Sequence, residues 1–344
     1  MAWLKYPLRL FWIIWLVAVA CKGKKDSAES IDSPVEANPA YQSLNDSLHL
    51  FPDDATLYLR RATRLSQDNA HESAYADFQK AYSLKPLPEY ALPFAANLEI
   101  LGKHQERMSL LEKINQQFPG NPQVSRLLAE TYASSENKAQ ALLIYNDILR
   151  KDSLDTDAMY EKAILLEQLK DTGQAIRTLQ KAYSYQGVET YGLELAHLYA
   201  ELKNPRALQI CDQILRQDSA RLLIDPLFIK GIYYANVRQY SKAIVQFDSC
   251  IARDWKTTDA YLEKGRAYFQ LGNYPAAMQT FTMAITVTQT DPDAYYWLGR
   301  CYEAEHRNME AVVNYRKAIA LDKDFREARE RMENLDPGFA HPSQ

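Results

Sequence analysis

Small residues recur along this chain at Ala62, Ala95, Ala129, Ala163, Ala196, Gly231, Gly265 and Gly299, separated by 33, 34, 34, 33, 35, 34 and 34 positions. A period of that length marks a repeat architecture, in which each unit is too small to bury its apolar face alone and stacks on its neighbours to do so. Eight copies of one unit are therefore expected. Function is to be sought on surfaces and in cellular address rather than in an enclosed catalytic pocket.

The clearest copy runs from Pro292 to Ala320. Asp291 stands where an N-cap carboxylate would accept the first free amides, and Pro292 follows in the first turn. Tyr295, Leu298, Gly299 and Tyr302 then recur at helical spacing, and Ala311, Tyr315, Ala318 and Ile319 do the same in a second helix. Glycine inside a helix costs about 1 kcal/mol relative to alanine, so Gly231, Gly265 and Gly299 need a compensating reason, and close helix packing supplies one. The partner small residues are Ala74, Ala141, Ala175, Ala207, Ala243, Ala277 and Ala311. Four positions after this site stand Phe78, Leu111, Tyr145, Leu179, Cys211, Phe247, Phe281 and Tyr315, expected to fill the wedge between neighbouring repeats.

This pattern resembles the tetratricopeptide repeat. Leu298, Gly299, Tyr302, Ala311, Tyr315 and Ala318 fall in its register, as do Gly265, Tyr268, Gly272, Tyr274, Ala277, Phe281 and Ala284; Pro52, Pro86 and Pro119 match its closing proline. The resemblance covers roughly residues 40 to 335 and implies an all-α chain, a right-handed superhelical α-solenoid of about eight helix-turn-helix units with capping helices at both ends. The expected organisation is a leader over 1–20, a polar tether over 21–37, a capping helix over 38–54, eight repeats over 55–323, and a capping helix and tail over 324–344. Three departures stand out. Arg107 replaces a helix alanine, Pro93 falls inside a helix that it should kink or shorten, and the stretches at Asn204–Pro205 and Asp218–Asp225 break the regular spacing.

Residues 1–20 read as a secretory leader, with Lys5 and Arg9 before an apolar run ending at Ala20. That run is short of the ~20 residues needed to span a bilayer. Ala18, Val19, Ala20 and Cys21 resemble a bacterial lipobox, which implies lipidation of Cys21 and anchoring to the cell envelope. In similar lipoproteins an Asp after the cysteine favours the inner membrane; Lys22 stands there, so the outer membrane is expected. The polar stretch that follows, with Pro34 and Pro39, has almost nothing to bury.

No phosphate-cradling glycine loop, nucleophile elbow, His-Glu zinc helix or cysteine pair is found, and neither catalysis nor a cofactor or metal is expected. Cys211, Cys250 and Cys301 lie on separate predicted helices and read as small packing residues. The formal net charge of −4 becomes −6 once Lys5 and Arg9 are removed, and with no basic stripe a nucleic-acid partner is not expected. Complete capping asks for no partner copy, so a monomer is consistent with the pattern.

Tetratricopeptide arrays bind partners on the exposed side of their first helices. The resemblance to chaperone-binding members would imply a Lys and Asn clamp, but Leu59 with Thr63 and Arg126 with Glu130 occupy its positions. Two linings are expected instead. The middle repeats offer Tyr160, Glu161, Glu167, Glu194, His197 and Glu201, an acidic surface. Toward the C-terminus the same register yields Phe228, Leu262, Arg266, Phe269, Tyr296 and Arg300, where aromatic and arginine side chains suit a peptide anchor. From these, Phe228, Arg266, Phe269, Tyr296, Arg300, Tyr160 and His197 are taken as partner-binding positions. The expected function is a non-catalytic, lipid-anchored scaffold for envelope proteins or their peptide segments. The alternative is a lipoprotein that captures a glycan or peptide ligand for uptake.

Overall fold

The computed structural model describes residues 35, 36 and 38–336, and those residues form α-helices and one short 3-10 turn with no strand. Cys21 and the leader lie outside the described residues. No helix among the described residues is long and apolar enough to cross a membrane. The chain divides into two units after Pro86.

The first unit contains the 3-10 turn Pro39–Tyr41 and helices α1 (Gln42–Leu50), α2 (Ala55–Gln67) and α3 (His71–Leu84). Asp54 caps α2 by accepting from the Thr56 amide. Ala62, Leu65, Ala74, Phe78 and Ala81 are buried between α2 and α3. A polar tie secures the N-terminal helix. Arg61 donates from Nε and Nη2 to Asp77 (2.7 and 2.8 Å), and from Nη1 to Asn45 of α1 (2.9 Å) and Glu36 (3.1 Å).

The second unit is a succession of helix pairs. They are α4 (Pro88–Ile100) with α5 (His104–Gln117), α6 (Pro122–Ala133) with α7 (Lys138–Lys151), and α8 (Thr156–Gln168) with α9 (Thr172–Tyr185). Next come α10 (Glu189–Glu201) with α11 (Arg206–Gln217), and α12 (Asp225–Asn236) with α13 (Tyr240–Arg253). The last are α14 (Thr258–Gln270) with α15 (Tyr274–Val287) and α16 (Pro292–Ala304) with α17 (Asn308–Leu321), followed by α18 (Arg326–Leu335). Asn121, Asp155, Asp171, Asn273 and Asp291 each cap a helix start by accepting a backbone amide. Ala328 and Met332 of α18 are buried beside Tyr315 and Ala318 of α17.

The mid-helix glycines are explained by the rings that cover them. A Cβ built on Gly231 would lie 2.4 Å from Phe247, one on Gly265 2.5 Å from Phe281, and one on Gly299 2.8 Å from Tyr315. The ring therefore sits inside its own pair, against the first helix, and takes the space that any side chain would need. It reaches the next pair as well: Phe281 stacks on Trp297 of α16 at 6.2 Å between centroids. Close backbone approach is an added reason at Gly299, whose Cβ would be 3.2 Å from the Ala311 carbonyl oxygen.

A second recurrence has no periodic sequence mark. The turns that join the paired helices place Asn69, Gly102, Lys170, Lys203, Arg238, Gly272 and His306 in the left-handed region, with φ between 56° and 72°. Only two of the seven are glycine. For the others the conformation costs roughly 1–2 kcal/mol each, offset by the helix packing that the turn permits.

Three expectations about irregularity are corrected or refined. Pro93 neither breaks nor shortens α4, which keeps 13 residues like α2 and α8; the proline removes one hydrogen bond while one face of the helix stays packed through Tyr90, Ala91, Phe94 and Leu98. Arg107 is buried at 3% exposure and reaches out to Glu99 (2.9 Å), so a guanidinium occupies the alanine position with a carboxylate to balance it. The stretch after α11 is ordered by Asp218, whose carboxylate accepts from the Leu222 and Leu223 amides and from Arg253 (2.9, 3.0 and 2.8 Å).

Candidate partner-binding groove

Helices α6, α8 and α10 are first helices of successive pairs, and together with the start of α7 they border a groove of about 920 Å³. Its floor is apolar and aromatic, from Tyr145, Tyr160, Ile164 and Leu165. Its charged groups are Glu130, Glu161, Glu167 and Glu194 against the single Lys138.

One guanidinium next to the groove is already committed. Arg126 on α6 donates from Nη2 to both carboxylate oxygens of Asp155 (2.7 Å each), and its Nη1 lies 3.5 Å from Asp157. Its Nε is 3.7 Å from Glu161 Oε2, too far to bond, and both atoms are buried without a hydrogen-bond partner. Burial pushes the Glu161 carboxyl up to about 7; Arg126 opposes the shift, and Glu130, Asp157 and Asp155 add to it.

At the α10 side one oxygen each of Glu167 and Glu194 and one ring nitrogen of His197 lie within 4.8 Å of one another. Glu194 is raised above the ordinary carboxylate range by burial and then by the neighbouring Glu167, with His197 pulling the other way. Tyr160 is held beside them by stacking on Tyr191, 5.1 Å between centroids and 25° between planes. The Tyr191 hydroxyl donates to Asp157 at 2.5 Å. Burial raises the Tyr160 phenol, with Glu194 and Glu167 adding to the effect.

The C-terminal positions form a different kind of surface. Phe228 packs on Phe247 (5.6 Å) and Phe269 on Trp297 (5.5 Å). Tyr296 is buried between Trp297, Tyr315 and Phe325. Arg266 donates to Glu263 (2.6 Å), lies 3.5 Å from Asp293, and sits over the Trp297 ring at 5.1 Å. Arg300 lies over Phe269 and Trp297 at 5.3 and 5.5 Å and reaches the Tyr296 hydroxyl at 3.3 Å. The Arg266 and Arg300 contacts tie α14 to α16, while Arg266 Nε is buried without a hydrogen-bond partner.

Of the partner-binding positions read from the sequence, Tyr160 lines the groove and His197 joins the Glu167–Glu194 cluster at its edge. Phe228, Arg266, Phe269, Tyr296 and Arg300 lie on α12, α14 and α16 outside it. Glu130, Tyr145 and Ile164 also line the groove and were not among those positions, nor were Glu161, Glu167 and Glu194, whose acidic character was legible. Cys211, Cys250 and Cys301 are free thiols, fully buried.

Residues 117–187 and 292–325 match families described as tetratricopeptide repeat, and residues 265–305 match one described as TPR repeat. Superkiller protein 3 of Schizosaccharomyces pombe is 26% identical over 155 residues, 43% of this chain and 11% of that protein. ER membrane protein complex subunit 2 of Xenopus tropicalis is 32% identical over 99 residues, 28% of this chain and 33% of that protein. The chain thus spans between about a tenth and a third of the curated relatives it matches. A tetratricopeptide repeat protein from Parabacteroides merdae has the same fold, with a TM-score of 0.61 at 17% identity over 72% of this chain and 98% of that one. Repeats of this kind are generally non-catalytic scaffolds for protein–protein interaction. With the period, the helix pairs and these matches in agreement, the chain is a member of the tetratricopeptide-repeat family.

Proposed function

We propose that the protein is a lipid-anchored adaptor of a bacterial cell envelope, more specifically of the outer membrane, that holds a partner protein through a segment seated in the α6–α8–α10 groove. The observation that carries the reading is the groove itself. It is an open apolar and aromatic floor of about 920 Å³, ringed by carboxylates that have too few cations of their own. An open groove of this size accepts a chain segment and gives a small substrate little enclosure. The sequence supports the address: an apolar run ends at Ala18–Val19–Ala20–Cys21, with Lys22 after the cysteine. The C-terminal rings and arginines are assigned to framework, since Arg266 pairs with Glu263 and Asp293 and lies over Trp297, and Arg300 lies over Phe269 and Trp297.

The test is crosslinking in cells of the native organism, comparing the full chain with Cys21→Ser and with Tyr160→Ala, followed by mass spectrometry of the captured proteins. A short set of envelope proteins, reduced in both variants, is the expected result. The same set captured by Tyr160→Ala as by the unaltered chain refutes the groove as the docking surface. Unchanged capture and membrane recovery of Cys21→Ser refutes the anchor.

A further inference from the structure

The adaptor reading leaves open the chemistry of the docked segment, and the excess of carboxylates in the groove bears on it. We propose that the groove selects an extended segment bearing lysine or arginine, with the cationic head seated between Glu161 and the Glu167–Glu194 pair and its stem along Tyr160 and Ile164. The inference rests on the reading that this groove docks a partner. It goes further by naming the chemistry of what docks.

Three observations support a cationic occupant. First, the lining carries four carboxylates and one ammonium, Lys138. Two guanidiniums stand behind this lining and offset its charge only in part: Arg126 is held by Asp155 and Asp157 and lies 3.7 Å from Glu161, and Arg107, bonded to Glu99, lies 4.0 Å from Glu130. Second, Glu161 Oε2 is buried without a hydrogen-bond partner although its neighbours include a cation 3.7 Å away. A buried acceptor left unbonded has a strong gain to make from an incoming N–H donor. Third, Glu167 and Glu194 come from different helices, α8 and α10, and meet at the groove edge, where a cation relieves their repulsion. Arginine suits the site doubly, because its plane also stacks on tyrosine faces such as that of Tyr160.

Affinity is expected to depend on pH, with a sign set by the groups that face each carboxylate. Glu161 meets Arg126 and Glu130 from α6, Tyr145 from α7, and Asp155 and Asp157 from the start of its own helix region. Glu194 meets Glu167 and Tyr160 from α8 and His197 from α10. Glu161, which holds its proton to about 7, is partly uncharged at pH 6 and charged at pH 8, and Glu194 is shifted in the same direction. A cationic segment therefore binds more tightly as the pH rises through about 7, and its binding releases protons.

The experiment uses the full chain with hexa-arginine carrying a neutral fluorophore, and the equal-length citrulline peptide as its uncharged isostere, read by fluorescence anisotropy. Hexa-arginine is expected to bind at least about tenfold more tightly than the citrulline peptide, and more tightly at pH 8 than at pH 6. E167Q/E194Q and, separately, E161Q should each weaken it about tenfold. The triple variant E327Q/E330Q/E333Q removes three charges from α18 and should leave it within about twofold. Equal affinity for the two peptides, or equal weakening by the α18 variant, overturns the proposal. So does stabilisation by zinc ions alone that is lost in His197→Ala, with no hexa-arginine binding; that result makes the cluster a metal site. If hexa-arginine fails while Tyr160→Ala still abolishes crosslinking in cells, the cationic selection falls and the adaptor stands. If both fail, the groove has no docking role.

Discussion

Replacing Gly265 by alanine sets two effects against each other, and the structure decides which wins. Alanine favours the helix by about 1 kcal/mol. Its methyl would lie 2.5, 2.7 and 2.8 Å from Cε1, Cζ and Cδ1 of the Phe281 ring, and rotating the ring about its axis leaves the 2.7 Å contact in place because Cζ lies on that axis. The ring has no exposed surface and is stacked on Trp297, so it has nowhere to swing. Overpacking of this kind costs about 1–3 kcal/mol, and a pinned ring belongs at the upper end. The net expectation is destabilisation by about 2 kcal/mol, the overpacking less the propensity gain. Urea unfolding followed by circular dichroism reads the total. Hydrogen exchange of the α14 amides localises it, since arrays of repeats open in parts. The decisive arm is Phe281→Leu. In that background the clash is gone, and Gly265→Ala should turn stabilising by about 1 kcal/mol. A stabilising Gly265→Ala in the unaltered chain, or no change of sign with Phe281→Leu, refutes the claim that the ring is what requires the glycine.

Glu161→Gln should raise stability at pH 8 and lose that advantage at pH 5. An acid whose folded pKa is raised, here to about 7, costs the folded state increasingly as the pH climbs from its unfolded value, and is flat above. After allowance for solvent screening the gain is about 1–2 kcal/mol, read as the pH dependence of the urea midpoint. Cys211, Cys250 and Cys301, pushed up to about 12 by burial, should resist iodoacetamide at pH 8 in the native protein and react only in urea, as mapped by mass spectrometry of each peptide. Lys170→Gly should stabilise the α8–α9 pair by about 0.5–1 kcal/mol, because glycine adopts its φ of 62° without strain; a loss of stability on thermal unfolding contradicts that account.

The fold was legible because its information is periodic. One small residue and one ring per unit, held in register, define a helix pair, and the pairs then have little choice but to stack. What repeats by geometry rather than by residue type was not legible: the left-handed turn is glycine at Gly102 and Gly272 but lysine at Lys170 and Lys203. The groove was half legible. Tyr160, Glu161, Glu167 and Glu194 read as an acidic lining, and they do border the groove. The C-terminal rings and arginines looked as suitable by residue type. What separates the two sets is who their partners are, and those partners lie far along the chain: Asp293 stands beside Arg266, and Trp297 covers Phe269. Composition at a given register position carries no record of that pairing.

The ring that covers Gly231, Gly265 or Gly299 comes only 16 residues after it, as Phe247, Phe281 or Tyr315. This locality has a consequence for the order in which the protein is made. A ribosome adding ~5–20 residues per second takes ~2–7 seconds to deliver one 34-residue repeat, whereas a local helix pair closes within microseconds to milliseconds. Each pair can therefore shut on its own ring while the next is still being synthesised. The growing tip then carries one uncovered apolar face for seconds at a time, passed forward from repeat to repeat. Helix α18, with Ala328 and Met332 turned to α17 and Arg326, Glu327, Arg329 and Glu330 exposed, is where that travelling face is finally closed.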